Sequence, residues 1–289
     1  MRLLMRSVSV SVALLAILAS GVAKDLDVSD LVKKNLEAIG TEQARAAVTS
    51  CVGQAPLHFV VITGGVGIQD GKLVLASAGT QMVALLKLLN PIYHGERFVS
   101  DGKKTSIAEM VPGTYSQLGD FVHVHDEILK EGLLGGVLST NWALSHVGER
   151  HPKLQYKGLK KVNGVELHRL EYVPAKRGDL EIELYFEPET FRHVLTTYLM
   201  TIGSQLAASE TATASQKTTY YQIEERFGDF KQIDGLQLPT RWILRYSSNA
   251  QRDPTHPTLG EQVYSIEYDA RGIAISHNAT LDPKNFEVK

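Results

Sequence analysis

The chain has 289 residues, 43% of them hydrophobic and 21% charged, with 30 basic against 32 acidic side chains and a formal net charge of −2. Length and apolar content allow a sizeable core, while the weak negative charge argues against nucleic acid, whose phosphates call for a concentrated basic surface. The single cysteine, Cys51, excludes an internal disulfide and reads as a small buried apolar residue.

Arg2 and Arg6 precede an apolar run from Val8 to Ala19, followed by the small residues Gly21 and Ala23 ahead of Lys24. This is the layout of a cleavable signal peptide, and the run is too short for a span of roughly 20 apolar residues. The expectation is a signal over residues 1–23 and a single domain over 24–289, periplasmic or otherwise secreted, of net charge about −4 once Arg2 and Arg6 are removed. No cysteine follows the cleavage point, so no lipid anchor is expected there, and no transmembrane segment is expected in the mature chain.

In the first mature segment Leu31, Val32, Leu36 and Ile39 recur at helical spacing, with Asp27 or Ser29 as N-cap and Gly40 as a stop. Two short helices flanking Gly40 are predicted. After Pro56 the pattern becomes β, with strands at Leu57 to Thr63, Lys72 to Ser77 and Met82 to Leu89. Gly64-Gly65-Val66-Gly67 imitates a dinucleotide loop, but Asp70 replaces the third glycine and no helix follows. Hydrolase elbows, zinc-protease helices and phosphate-binding loops are absent from the sequence.

Asp101-Gly102, Asn163-Gly164 and Asp234-Gly235 are two-residue hairpin turns, and Pro188-Glu189 is a fourth turn. Between the first two, Leu118 to Leu138 is helical in pattern. Val122, Leu129, Leu133 and Val137 form one stripe, with Phe121, Ile128, Leu134 and Leu138 beside it, and Gly135-Gly136 weakens its end. This segment reads either as a movable lid over an apolar sheet face or as a permanent plug. Its His123-Val124-His125-Asp126-Glu127 invites a metal reading, yet on a helix the two imidazoles diverge by about 200°, and no third ligand lies nearby.

Leu180, Ile182, Leu184 and Phe186 alternate with Glu181 and Glu183, so that strand has one dry and one wet face. Trp242, Leu244 and Tyr246 share a face, as do Tyr264, Ile266 and Tyr268. Glu181 and Glu183 are neighbours on a strand rather than carboxyls facing across a cleft, as a glycosidase would need. Ala207 to Gln216 and Asn249 to Pro257 read as polar loops.

Several phrases resemble the LolA/LolB lipoprotein carriers and the N-terminal domain of the RseB envelope-stress sensor. They are Ala38-Ile39-Gly40, Tyr156-Lys157-Gly158, Val162 through Leu170, Leu184 through Thr190, Phe227-Gly228-Asp229-Phe230 and Asp234 through Pro239. The resemblance implies an unclosed antiparallel β-barrel, mainly β with α, capped by a helical lid. It also implies a concave face that binds acyl chains, a lipoprotein or another hydrophobic ligand, with no cofactor and no catalysis. Candidate ligand contacts are Phe121, Val122, Leu129, Leu133, Val137, Leu180, Ile182, Leu184, Phe186, Trp242, Leu244, Tyr246, Tyr264, Ile266 and Tyr268. The alternatives are an envelope sensor or interaction protein of the same fold, with a protein partner in the envelope, and a metal-dependent enzyme using His123 and His125. N-terminal sequencing of the protein recovered from the envelope should start near Lys24 without an acyl group; a retained Met1 would remove the exported reading at its first step.

Overall fold

The computed structural model describes residues 26–176, 178–203, 218–249 and 263–288. The signal segment, the 207–216 stretch and all but Asn249 of the 249–257 loop lie outside the described residues.

Helix α1 (Val28–Ile39) starts at Asp27, whose carboxylate accepts from the amides of Ser29 and Asp30, and ends at Gly40. Helix α2 (Glu42–Ala46) is capped by the Thr41 hydroxyl, which accepts from the Ala44 amide. Both caps satisfy amides that a helix start otherwise leaves without partners.

The strands are β1 (Ser50–Thr63), β2 (Ile68–Ala78), β3 (Gln81–Leu88), β4 (Gly95–Ser100), β5 (Thr105–Ile107), β6 (Lys153–Val162), β7 (Val165–Val173), β8 (Glu181–Phe186), β9 (His193–Ile202), β10 (Thr219–Ile233), β11 (Leu236–Ser248), β12 (Tyr264–Arg271) and β13 (Ala274–His277). All belong to one antiparallel sheet in the order β5-β4-β3-β2-β1-β12-β11-β10-β9-β8-β7-β6, with β13 added beside the start of β1. Strands β5 and β6 are not paired to each other, so the sheet curves without closing. The order follows from hairpins. Asn163-Gly164 and Asp234-Gly235 both carry positive φ, at 51° and 87° and at 49° and 82°, which two-residue turns of this hand require.

Strand β1 starts earlier than Pro56 suggested. Pro56 is tolerated because on one side β13 pairs only as far as Gln54 and β12 begins at Leu57, leaving the imide nitrogen in the gap. The Gly64-Gly65-Val66-Gly67 run is the turn between β1 and β2, closed by the Val61 amide donating to the Gly67 carbonyl at 2.8 Å.

Alternation along the strands leaves a continuous apolar surface on the concave side, and residues 108–150 lie across it. The predicted helix from Leu118 to Leu138 is broken into α3 (Gln117–Val124), α4 (Glu127–Lys130) and a 3-10 turn at Gly136–Leu138; a further 3-10 turn at Ala143–His146 leads into α5 (Val147–Arg150). The breaks sit where the backbone leaves helical space. Gly132 has φ 66°, and a Cβ there would lie 1.7 Å from the Asn141 carbonyl oxygen. Gly136 has φ 50°, and its Cβ would meet the Phe227 ring at 2.9 Å and His193 Nδ1 at 3.0 Å. Only glycine fits both demands. Gly132→Ala should therefore lower unfolding free energy by about 2–4 kcal/mol, as read by urea denaturation, whereas Gly148→Ala, where the added Cβ meets nothing within 4 Å, should change it little.

Candidate functional site

The concave face and its cover form a single apolar cluster. From the cover it takes Phe121 and Val122 of α3, Leu129 of α4, and Leu133 and Val137 beyond it. From the sheet it takes Ile182, Leu184 and Phe186 of β8, Trp242, Leu244 and Tyr246 of β11, and Ile266 and Tyr268 of β12. Leu180, just ahead of β8, and Tyr264 at the start of β12 are half-buried at its margin. The structure thus brings the predicted ligand contacts together, and it fills the space between them with one another. Leu129 and Leu133 have no solvent exposure.

Polar groups that sequence reasoning passed over tie the cover to the sheet. Glu225 of β10 is completely buried. Its carboxylate accepts from the Tyr198 hydroxyl at 2.7 Å, the Gly135 amide at 2.7 Å and the Trp242 indole at 2.8 Å. One oxygen thus holds the cover's backbone and a β11 side chain together. Burial pushes the acid up to about 7, against the downward pull of the three donors. Its signal in the sequence is parity, since Ile223, Glu225 and Phe227 share the core-facing side of β10.

At the other end of the cover Glu96 of β4 is also buried and accepts from the hydroxyls of Ser116 and Tyr93, while Tyr93 in turn contacts the Tyr268 hydroxyl. Ser116 is the N-cap of α3, so this carboxylate anchors the start of the cover. Burial raises it to about 7 as well. On β9, beside the β10 strand that carries Glu225, His193 is wholly buried, stacks on Trp142 at 4.6 Å, and hydrogen-bonds Thr196 through Nε2 at 2.8 Å. Burial lowers it to about 3, so it is neutral. The Trp142 indole reaches Asn35 of α1, whose amide donates to the Phe191 carbonyl at 2.9 Å.

His123 and His125 diverge. His123 is exposed and stacks on Tyr115 at 4.6 Å. His125 is buried, with Nδ1 3.6 Å from both Glu127 and Asp179 and Nε2 3.3 Å from the Met200 sulfur. Among the described residues, no group of three or more His, Cys, Asp or Glu side chains is placed to hold a metal ion.

Open space lies at the edge of the cover. One cleft of about 900 Å³ runs between α1 and the Val147 and Leu154 side chains, lined by Val28, Val32 and Leu36. A second of about 530 Å³ lies between α2, the start of β11 and the cover, lined by Ile39, Val137, Trp142, Leu236 and Leu238. They share Glu42 and Arg45 as walls, and Arg45 is fixed there by donating to the Leu36 and Gly40 carbonyls. Of the predicted contacts, Val137 alone lines these clefts.

Because Glu225 is held above the ordinary carboxylate value of 4.5, the folded state keeps a proton that the unfolded chain releases. Its contribution is therefore fully present below about pH 4.5 and is lost as pH rises through 7. Glu225→Gln keeps a hydrogen-bonding amide of the same shape and cannot ionise. The fall in stability between pH 5 and pH 8 should shrink by roughly 2 kcal/mol in this variant; an unchanged slope in denaturation at the two pH values would show that Glu225 does not titrate there.

No protein-family model matches the chain, and no curated protein matches it. Among solved structures it is similar to a DUF1329 family protein from Desulfovibrio piger, at 12% identity and TM-score 0.45 over 90% of this chain and 97% of that one. It is likewise similar to a LolA superfamily protein from Nitrosomonas europaea, at 13% identity and TM-score 0.44 over 90% and 96%. A domain from Vibrio parahaemolyticus assigned to an outer membrane lipoprotein-sorting protein gives 11% identity and TM-score 0.41 over 88% and 97%. The LolA superfamily, which the sequence resembles, is among these similar structures.

Proposed function

We propose that this protein is a binding protein or carrier of the bacterial envelope that takes a hydrophobic ligand, such as a lipoprotein acyl chain, between the concave face of the sheet and its cover. The observation that supports this reading most is the construction of the cover. It lies on a wide apolar face, is assembled from short helical pieces separated at Gly132, Gly135 and Gly136, and is flanked by two clefts at its edge. An acyl chain entering such an interface gains about 0.8 kcal/mol for each buried CH₂, which compensates for the apolar contacts it displaces.

A second reading, an envelope sensor or interaction protein, draws on the filled state of the concave face. The β6 edge of the sheet does not favour strand addition as its means of contact. Strand β6 carries Lys153, Lys157, Lys160 and Lys161, and its pairing with β7 shifts register between Tyr156 and Leu159. Charges and bulges of this kind discourage pairing at an edge.

Leu133→Glu separates the two readings. A buried unpaired carboxylate costs several kcal/mol, which a displaceable cover escapes by swinging out the piece that carries residue 133. The expected outcome is loss of fluorescence from a bound acyl-chain probe, with most of the β-sheet circular dichroism and its melting retained. A wild type that binds no such probe, together with complete unfolding of the variant, would identify the cover as permanent core and leave the interaction reading.

A further inference from the structure

We infer that the end of the sheet formed by the β1–β2 turn and the β3–β4 loop, with the adjoining convex surface of β2, β3 and β4, docks on an anionic lipid surface. On β6, β8, β11 and β12 several charges are paired across strands. Arg241 meets Asp269 at 2.8 Å, Arg245 meets Glu267 at 2.5 Å, and Lys160 meets Glu183 at 3.3 Å. On β2 to β4 like charges stand together instead. Lys72 and Lys87 are directly opposite each other across β2 and β3, an arrangement that repels. Arg97 is one strand further along, two residues from Gly95, the register partner of Lys87. None of the three has a carboxylate partner among the described residues. The acid beside them, Asp70, is engaged by His58 at 3.0 Å.

Beyond these cations the two connections, residues 61–69 and 88–95, contain no Asp, Glu, Lys or Arg, yet they expose large apolar side chains. Val66, Leu89 and Ile92 are each more than 80% exposed, and Ile68 is 71% exposed. The connections are neighbours, because β2 pairs with both β1 and β3. The β3–β4 loop is also ordered. The Asn90 side chain accepts from the amides of Ile92 and Tyr93 at 2.7 and 3.0 Å, and the Leu88 amide donates to the His94 carbonyl at 2.9 Å. Leu89 and Ile92 are thus held outward by a built turn. Apolar tips backed by unpaired cations match the two attractions of a membrane surface, an apolar layer under anionic headgroups, and the mutual repulsion of Lys72 and Lys87 is relieved when phosphate lies between them. This surface is on the outer side of the sheet, so it is separate from the ligand interface proposed above.

The test is cosedimentation of the purified protein with vesicles of phosphatidylcholine alone or with 30% phosphatidylglycerol, at low and high salt. Binding to the phosphatidylglycerol vesicles should be at least about tenfold stronger and weaken with salt. The double variants Lys72→Gln/Lys87→Gln and Leu89→Ser/Ile92→Ser should each lose roughly that factor with unchanged thermal melting, because these side chains are exposed. Equal binding to both vesicles, no binding, or variants that bind like wild type would overturn the inference. So would a concentration-dependent dimer in light scattering that either variant abolishes, since that would give the surface to a second copy of the chain. None of these outcomes bears on the Leu133→Glu experiment.

Discussion

The burial of one continuous apolar face against a segment of its own chain is the constraint on which the rest of the structure depends. A sheet of this width that does not close has a concave side too large to leave in water, and the segment between β5 and β6 is what removes it. Leu118, Val122, Ile128, Leu129, Leu133 and Leu134 of that segment are without exposure. Glu225 and Glu96 then set where the segment sits. Each is a buried acid whose hydrogen bonds span cover and sheet, so a shift of the cover takes the Gly135 amide from Glu225 and the Ser116 hydroxyl from Glu96 and leaves each acid one donor short in an apolar interior, a costly state. The apolar contacts supply the attraction, and the two acids supply the register.

The same requirement explains why the cover is not one helix. A straight helix over residues 118–138 would be about 30 Å long and would present one stripe to a curved surface. Breaking it at Val124, Gly132 and Gly135 lets successive pieces change direction and follow the curvature, at the expense of helical hydrogen bonds that the sheet side partly replaces, as in the Gly135 amide given to Glu225. The stripe that periodicity reveals is real in the sense that all its members are buried, but the secondary structure that carries them is decided by the surface they meet.

Much of the sheet was legible from the sequence, because it is built of hairpins whose turns carry their own signals. Asn163-Gly164 and Asp234-Gly235 announce themselves locally, and alternation along Leu180 to Phe186 states which side faces inward. The cover and its anchors were less legible for a physical reason. Gly132 is required by the carbonyl of Asn141, nine residues on, and Gly136 by a ring from β10, so neither demand is visible in a local window. Glu225 and Glu96 look like ordinary surface acids until strand parity places them inside. The clefts beside Arg45 arise where α1 and α2 meet the cover, and no periodicity reports a space between elements distant in sequence.

Energetics limits how such an interface could be used. Each fully buried Leu, Val or Phe contributes about 1.5–3 kcal/mol, so lifting the whole cover at once would expose more apolar area than an ordinary net stability of roughly 5–15 kcal/mol can support. On the carrier reading proposed above, ligand entry would therefore be progressive, with each displaced side chain replaced by part of the ligand before the next is exposed. Separation of the cover into short pieces suits this, because α4 or the turn at Gly136 can move without unwinding α3. The clefts lie along the cover's edge, where the first replacement would have to occur, and Val137 and Trp142, which line one of them, are also the side chains through which that edge joins the buried cluster. Trp142 is further tied to α1 through Asn35, and Gly135, two residues before Val137, gives its amide to Glu225, so this edge of the cover is held by the N-terminal helix and by the buried acid together.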